Sequence, residues 1–158
     1  MKNLIKALAK DYGELKFKPG KIFSWSPIGS VVTYPLNQKD SRLGSWSLLH
    51  EVSHALLSHN TYASDLELLV MEAEAWHKAK QLGNKFDVKI DEEHMQDCLD
   101  TYRDWLHKRS ACPRCNARGL QEDNYSYNCF NCFMTWSVTP ARFCRPYRIN
   151  ARKITAPA

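Results

Sequence analysis

Leu48-Leu49-His50-Glu51-Val52-Ser53-His54-Ala55-Leu56-Leu57 decides how the rest of the chain is read. His50 and His54 are four residues apart, so on a helix both imidazoles sit on one face, one turn apart. That spacing suits two ligands of a tetrahedral zinc ion. Glu51 then falls beside the open coordination position. There it can take a proton from zinc-bound water, whose pKa a catalytic zinc lowers to about 7, and later pass it to a leaving amine. The flanking residues predict a helix over 43–58: Leu43, Trp46, Leu49, Leu56 and Leu57 supply an apolar face. Asp40 or Ser41 is placed to cap it and Asn60 to stop it.

Upstream, Leu4, Ile5, Leu8 and Ala9 recur at helical spacing over residues 2–12. Pro19-Gly20 reads as a turn. Ile22–Trp25 and Val31–Tyr34 are β-rich and read as a hairpin or two neighbouring strands, and Val31–Tyr34 is a candidate edge for a substrate in extended form. Downstream, a helix is predicted over 64–81, with Ser64 as N-cap, Glu67 at the capping-box position and Gly83 ending it. A further helix over 91–108 carries Met95, Leu99, Tyr102 and Leu106 along one stripe.

A catalytic zinc usually has three protein ligands. The carboxylates Glu67, Glu72 and Glu74 and the histidines His59 and His77 all follow the motif closely. Glu72 and Glu74 are two residues apart, so on a helix only one of them readily faces the metal. Spacing leaves that choice open. A Tyr or His near the metal would serve as oxyanion-stabilising group, with Tyr62, His59 and His77 as candidates.

Four of the six cysteines form Cys112-Pro113-Arg114-Cys115 and Cys129-Phe130-Asn131-Cys132, thirteen residues apart. Two such pairs predict a closed four-cysteine structural zinc site, so two Zn²⁺ per chain are expected in all. Tyr125 and Tyr127 suit a hairpin between the pairs, and Trp136 can close the small core. Cys98 reads as a buried thiol, and Cys144 as a spare beside a complete set.

With 158 residues, 44% hydrophobic and 25% charged, the chain is neither disordered nor fibrous, and it is large enough for a domain plus a small module. The reading is a domain over 1–109, a ribbon over 110–140 and a basic tail over 141–158. No apolar run approaches the roughly 18 residues of a membrane span. Lys6 and Lys10 interrupt the first apolar stretch, which argues against a secretory signal and for a cytoplasmic protein. Residues 1–99 carry a net charge of −1 and residues 100–158 a net +6. Arg142, Arg145, Arg148, Arg152 and Lys153 hold most of that excess. With Arg114, Arg118 and the aromatics Tyr125, Tyr127, Trp136 and Tyr147, they are candidates to grip phosphates and stack on bases.

Residues 45–59 resemble the ImmA/IrrE family of zinc metallopeptidases. That family shows an aromatic residue, Ser or Thr, two apolar residues and then HExGHxLLH or close to it. Glu74-Ala75-Trp76-His77-Lys78-Ala79 aligns with its second motif, Glu-Ala-Asn-x-Phe-Ala, whose Glu is the third ligand. The resemblance covers roughly residues 20–82 and implies His50, His54 and Glu74 as ligands, with Glu51 as base. Ser53 stands in place of Gly, Ser58 of a frequent His, Trp76 of Asn and Lys78 of Phe. The resemblance also implies an α+β, zincin-like domain of a short sheet and three to four helices. Its implied activity is hydrolysis of a peptide bond in a regulatory or DNA-associated protein, in a bacterial or phage-infected cell, often from a mobile element. The domain order is also similar to that of SprT-like proteases, whose third ligand is a downstream His, for which His59, His77 and His94 are candidates. The alternative is a non-catalytic zinc-binding regulator whose ribbon and tail bind DNA or a partner protein.

Overall fold

Ser41 starts the helix that carries the histidine motif. Its hydroxyl accepts the Gly44 N–H at 2.8 Å, which satisfies one of the free donors of the first turn. The structure is a computed structural model describing residues 2–38, 41–139 and 148–149. Asp40, Arg142, Cys144, Arg145 and the rest of the tail lie outside the described residues, and Arg148 is described only as strand backbone. Among the described residues the order is α1 (Lys2–Asp11), β1 (Lys16–Gly20), β2 (Ser24–Ser26), β3 (Val31–Pro35), α2 (Arg42–Leu56), α3 (Asp65–Lys85), α4 (Glu92–Ser110), β4 (Leu120–Asp123), β5 (Ser126–Asn128), β6 (Thr135–Val138) and β7 (Arg148–Ile149). The architecture is α+β, with four helices and two small sheets among the described residues. No described helix is long and apolar enough to cross a membrane. The chain divides into two compact units, one over 1–61 and 70–96, the other over 62–69 and 97–158.

In the first unit the sheet order is β1-β3-β2. The antiparallel β2–β3 pair, with Trp25 opposite Val32, matches the expected hairpin or pair of neighbouring strands, the first of them lying at Ser24–Ser26. Strand β1 runs parallel to β3: Pro19 and Gly20, which read as a turn, are paired with Tyr34 and Pro35. Pro19 is tolerated because β1 is an edge strand. Gly20 is required there, since a Cβ would come within 2.9 Å of the Thr33 Cβ. This topology overturns the edge role of Val31–Tyr34. β3 is the central strand, bonded on both sides, and the open edges belong to β1 and β2.

Leu8, Val32, Leu48, Leu49 and Val52 are fully buried at the centre of this unit. From α3 it receives Ala75, Trp76, Ala79 and Leu82, all buried along one face of the helix. Gly83 does not end α3, which runs on to Lys85. A Cβ at Gly83 would stand 2.4 Å from the Val88 carbonyl oxygen, so glycine admits the returning chain there.

In the second unit Ser64 caps α3, accepting the Glu67 N–H at 3.1 Å, while the Glu67 carboxylate takes the Ala63 N–H at 2.5 Å. Asp65 is buried and pairs with Arg109 Nε at 2.7 Å; it also accepts the Tyr127 hydroxyl. Arg109 is 1% exposed, lies over the Trp105 ring and donates to the Thr139 carbonyl at 2.9 Å. Strands β4 to β7 form an antiparallel sheet. Tyr127 and Trp136 are stacked and buried among Cys112, Cys129 and Val138. They are core residues and cannot stack on bases; the exposed aromatics of this unit include Tyr125, Phe130 and Phe133.

Candidate metal centres

The first centre is built on the inner face of α2. His50 is buried and stacks on Trp76 of α3, ring centroids 4.3 Å apart. His54, one turn on, meets the His50 ring edge-on at 4.6 Å. Between them Ser53 is fully buried, its hydroxyl satisfied by the Leu49 carbonyl at 2.7 Å, so the polar side chain leaves no orphan donor.

The carboxylate that completes the cluster is Glu72. Its Oε2 lies 3.1 Å from His50 Nε2 and 3.7 Å from His54 Nε2, and the two Nε2 atoms are 3.1 Å apart. Donors held by a zinc ion at about 2.0–2.1 Å in a tetrahedron stand roughly 3.3 Å from one another, and these three separations bracket that value. His50, His54 and Glu72 could therefore hold a metal ion. Glu74, the residue implied by the family pattern, is on a different side of α3, its side chain 57% exposed and 3.4 Å from His59 Nε2. Two residues rotate a helix by about 200°, so both carboxylates cannot face α2. None of His59, His77 and His94 joins the donor set. His77 bonds Gln81 at 3.1 Å, and His94 packs against Trp46 and Trp76.

Electrostatics separate the two buried carboxylates. Burial opposes ionisation of Glu72, but hydrogen bonds from His50 and His54 outweigh it and hold the pKa at about 2. Glu51 goes the other way. Burial lifts its pKa above the ordinary carboxylate value, against the attraction of His50 and His54, with Glu72 adding to the rise. The Trp25 backbone hydrogen-bonds to Glu51, which places the carboxylate beside strand β2. The arrangement thus holds Glu72 ionised among the donors and, next to it, leaves Glu51 as the carboxylate better suited to accept a proton.

Two features beyond the motif matter here. Ser58 adopts φ 56°, and the chain then turns back so that His59 Nδ1 lies 2.9 Å from His54 Nδ1. Trp25 Nε1 donates to the His59 carbonyl at 2.9 Å. Burial and the neighbouring His54 push the His59 pKa below its ordinary value, against the pull of Glu74.

The second centre gathers Cys112, Cys115, Cys129 and Cys132. Cys112 Sγ and Cys132 Sγ are 3.6 Å apart, and Cys115 Sγ and Cys129 Sγ 3.5 Å. These separations are far above a disulfide bond of about 2.05 Å and close to the roughly 3.8 Å edge of a tetrahedron with metal–sulfur bonds of about 2.3 Å. The Asn131 side chain and the Ala117 backbone draw the Cys115 pKa down to about 6. At Cys132 the Met134 backbone favours the thiolate, yet burial and the neighbouring thiols push the pKa up to about 12. Such a set ionises fully only with a cation among the sulfurs. Asn116 and Phe133, one residue past each cysteine pair, take positive φ, which closes the two knuckles. Compared with protein-family models, with curated proteins and with solved structures, the chain matches none.

Proposed function

We propose that this chain is a zinc-dependent peptidase carrying a structural zinc ribbon, with two zinc ions per chain. The observation that carries the reading is a buried His50–His54–Glu72 donor set beside Glu51, a carboxylate outside that set. A purely structural site has no need of such a neighbour. Four thiols in two knuckles are the chemistry of a structural zinc site. Zinc in the histidine site would supply Lewis acidity toward a carbonyl oxygen and toward water.

Glu51 is the group suited to accept a proton from an attacking water and to return it to the leaving amine. Its burial makes it a better base at neutral pH than an exposed carboxylate. Strand β2 has an open edge and carries Trp25 against Glu51, which suits a substrate bound in extended form. A short sheet beside the motif helix is in keeping with a zincin-like domain. In this reading the substrate is a regulatory or DNA-associated protein in the cytoplasm, and the ribbon and basic tail position the enzyme on it.

The test is Glu51→Gln in the zinc-loaded full chain against a proteome-derived peptide library, with products read by mass spectrometry. Cleavage by the wild type, lost at least 100-fold in the variant while two zincs per chain are kept, is the expected result. A wild type with two zincs and no Glu51-dependent cleavage refutes the enzyme and leaves a zinc-binding regulator.

A further inference from the structure

His54 offers one ring nitrogen to the donor set and turns the other away from it, and the second nitrogen is not idle. We propose that His59, with Glu74 behind it, is a positioning residue that fixes the tautomer and ring orientation in which His54 binds the metal. The inference rests on the metal-centre reading above. It replaces the ligand role implied for Glu74 with a role two side chains removed.

The backbone comes first. Leu57 is the C-cap of α2, and Ser58 follows in the left-handed region at φ 56°. The His59 N–H reaches the His54 carbonyl at 3.0 Å and the Ser58 N–H reaches the Ala55 carbonyl at 3.1 Å. That is the paired hydrogen bonding of a Schellman motif, which brings the residue two past the cap against one a turn back inside the helix. The side-chain contact in this motif is usually apolar. Here it is a 2.9 Å contact between two imidazole nitrogens. The Trp25 indole, bonded to the His59 carbonyl, also holds this residue.

Proton bookkeeping then fixes the roles. Of two Nδ1 atoms 2.9 Å apart, one donates and one accepts. A neutral His54 that gives its Nε2 lone pair to a metal carries its proton on Nδ1, so it is the donor. His59 Nδ1 must accept, which leaves the His59 proton on Nε2. That nitrogen is the one 3.4 Å from Glu74 Oε2. Each choice forces the next, in the manner by which carboxylates orient metal-bound histidines elsewhere. His50 is held differently. Its Nδ1 is buried with no hydrogen-bond partner among the described residues, and its ring is fixed by the stack on Trp76.

The experiment measures zinc affinity of the full chain by competition with a chromophoric chelator. The variants are Glu74→Ala, His59→Ala, His59→Asn and His59→Asn with Glu74→Ala. Glu74→Ala and His59→Ala should each still bind two zincs at saturation, with the histidine site weakened about 10- to 100-fold. His59→Asn keeps an acceptor near the Nδ1 position and should restore most of the loss seen in His59→Ala. Adding Glu74→Ala to it should cost nothing more, because the link is already cut. Nitrogen-15 NMR of the zinc-loaded wild type, which needs no variant to fold, should show His54 protonated on Nδ1 and His59 on Nε2.

His59 protonated on Nδ1, or affinities unchanged in all variants, overturns the relay and leaves the metal centre standing. Loss of the second zinc in Glu74→Ala makes Glu74 a ligand and also overturns it. The expected affinities without any peptide cleavage support the relay and refute the peptidase alone. A wild type that binds one zinc refutes both.

Discussion

Removing the Asp65 carboxylate should bring the ribbon unit close to unfolding, although Asp65 is no metal ligand. Asp65 and Arg109 are 2% and 1% exposed and 2.7 Å apart, and the same carboxylate accepts the Tyr127 hydroxyl. Asp65→Ala leaves a guanidinium in the interior with no carboxylate partner among the described residues, facing the Thr139 and Asn124 carbonyls, the Trp105 ring and the Tyr127 hydroxyl. Breaking a buried pair from one side costs about 3–5 kcal/mol, most of it the unpaired charge. The Tyr127 hydroxyl adds to that loss less than additively, because it shares the same acceptor. Residues 62–69 and 97–158 amount to about 70 residues, and a unit of that size has roughly 4–10 kcal/mol in hand before any contribution from metal. Native-state hydrogen exchange on the zinc-loaded full chain reads this directly. At 1.4 kcal/mol per decade, protection of the β5 and β6 amides should fall between about 100-fold and a few thousandfold. Asp65→Leu combined with Arg109→Met, which removes both charges and keeps apolar volume, should recover most of the loss. A fall under fivefold, about 1 kcal/mol, would mark the pair as solvent-screened and refute the burial argument.

Elemental analysis of Glu72→Ala should give one zinc per chain where the wild type gives two; two zincs in that variant would remove Glu72 from the donor set. Zinc uptake by the cysteine set should release at least one proton per ion at pH 7, because the Cys132 pKa of about 12 keeps it a thiol until metal arrives. Affinity should therefore rise with pH, and calorimetry in two buffers of different ionisation enthalpy that found no proton release would contradict the assignment. Ser58→Gly should raise the melting temperature by relieving up to about 1 kcal/mol of left-handed strain, and Ser58→Val should lower it by destabilising the fold by about 1–2 kcal/mol; equal melting temperatures would mean that φ 56° carries no cost.

Much of this arrangement is legible before any coordinates. The α2 motif, the two cysteine pairs and the Ser64–Glu67 cap follow from local spacing, and spacing is a property of the chain alone. What was not legible depends on partners distant in sequence. Lys16–Gly20 carries no strand signal because Pro19 and Gly20 are turn residues by composition, and they become strand only by lying parallel to Val31–Pro35. The centrality of β3 follows from that same pairing. The Asp65–Arg109 pair joins residues 44 positions apart, and no pattern in either segment announces it. Tyr127 and Trp136 look like stacking residues in a basic segment, yet a module this small has nothing larger with which to build a core.

The Glu72–Glu74 choice is different, because the deciding signal was present in the helix itself. Ala75, Trp76, Ala79 and Leu82 form the buried stripe of α3. Extended back one turn, a stripe at spacings of three and four reaches residue 72 and bypasses 74. Trp76 ties that stripe to the two histidines, since it stacks on His50, and the residue four before it must lie over the same spot. A carboxylate from α3 that faces the two histidines has to come from this column, where the neighbouring positions are alanines with no donor atom. Glu74 shares the other face with His77 and Lys78, along the cleft that also exposes one edge of His59. Trp76 therefore also identifies which carboxylate faces the histidines. A Trp76→Asn variant should keep Glu72 over His50 and lose only the stack. Zinc should then stay at two per chain with weaker binding at the histidine site, and a switch of ligand to Glu74, revealed by zinc surviving Glu72→Ala in that background, would show that the column argument fails.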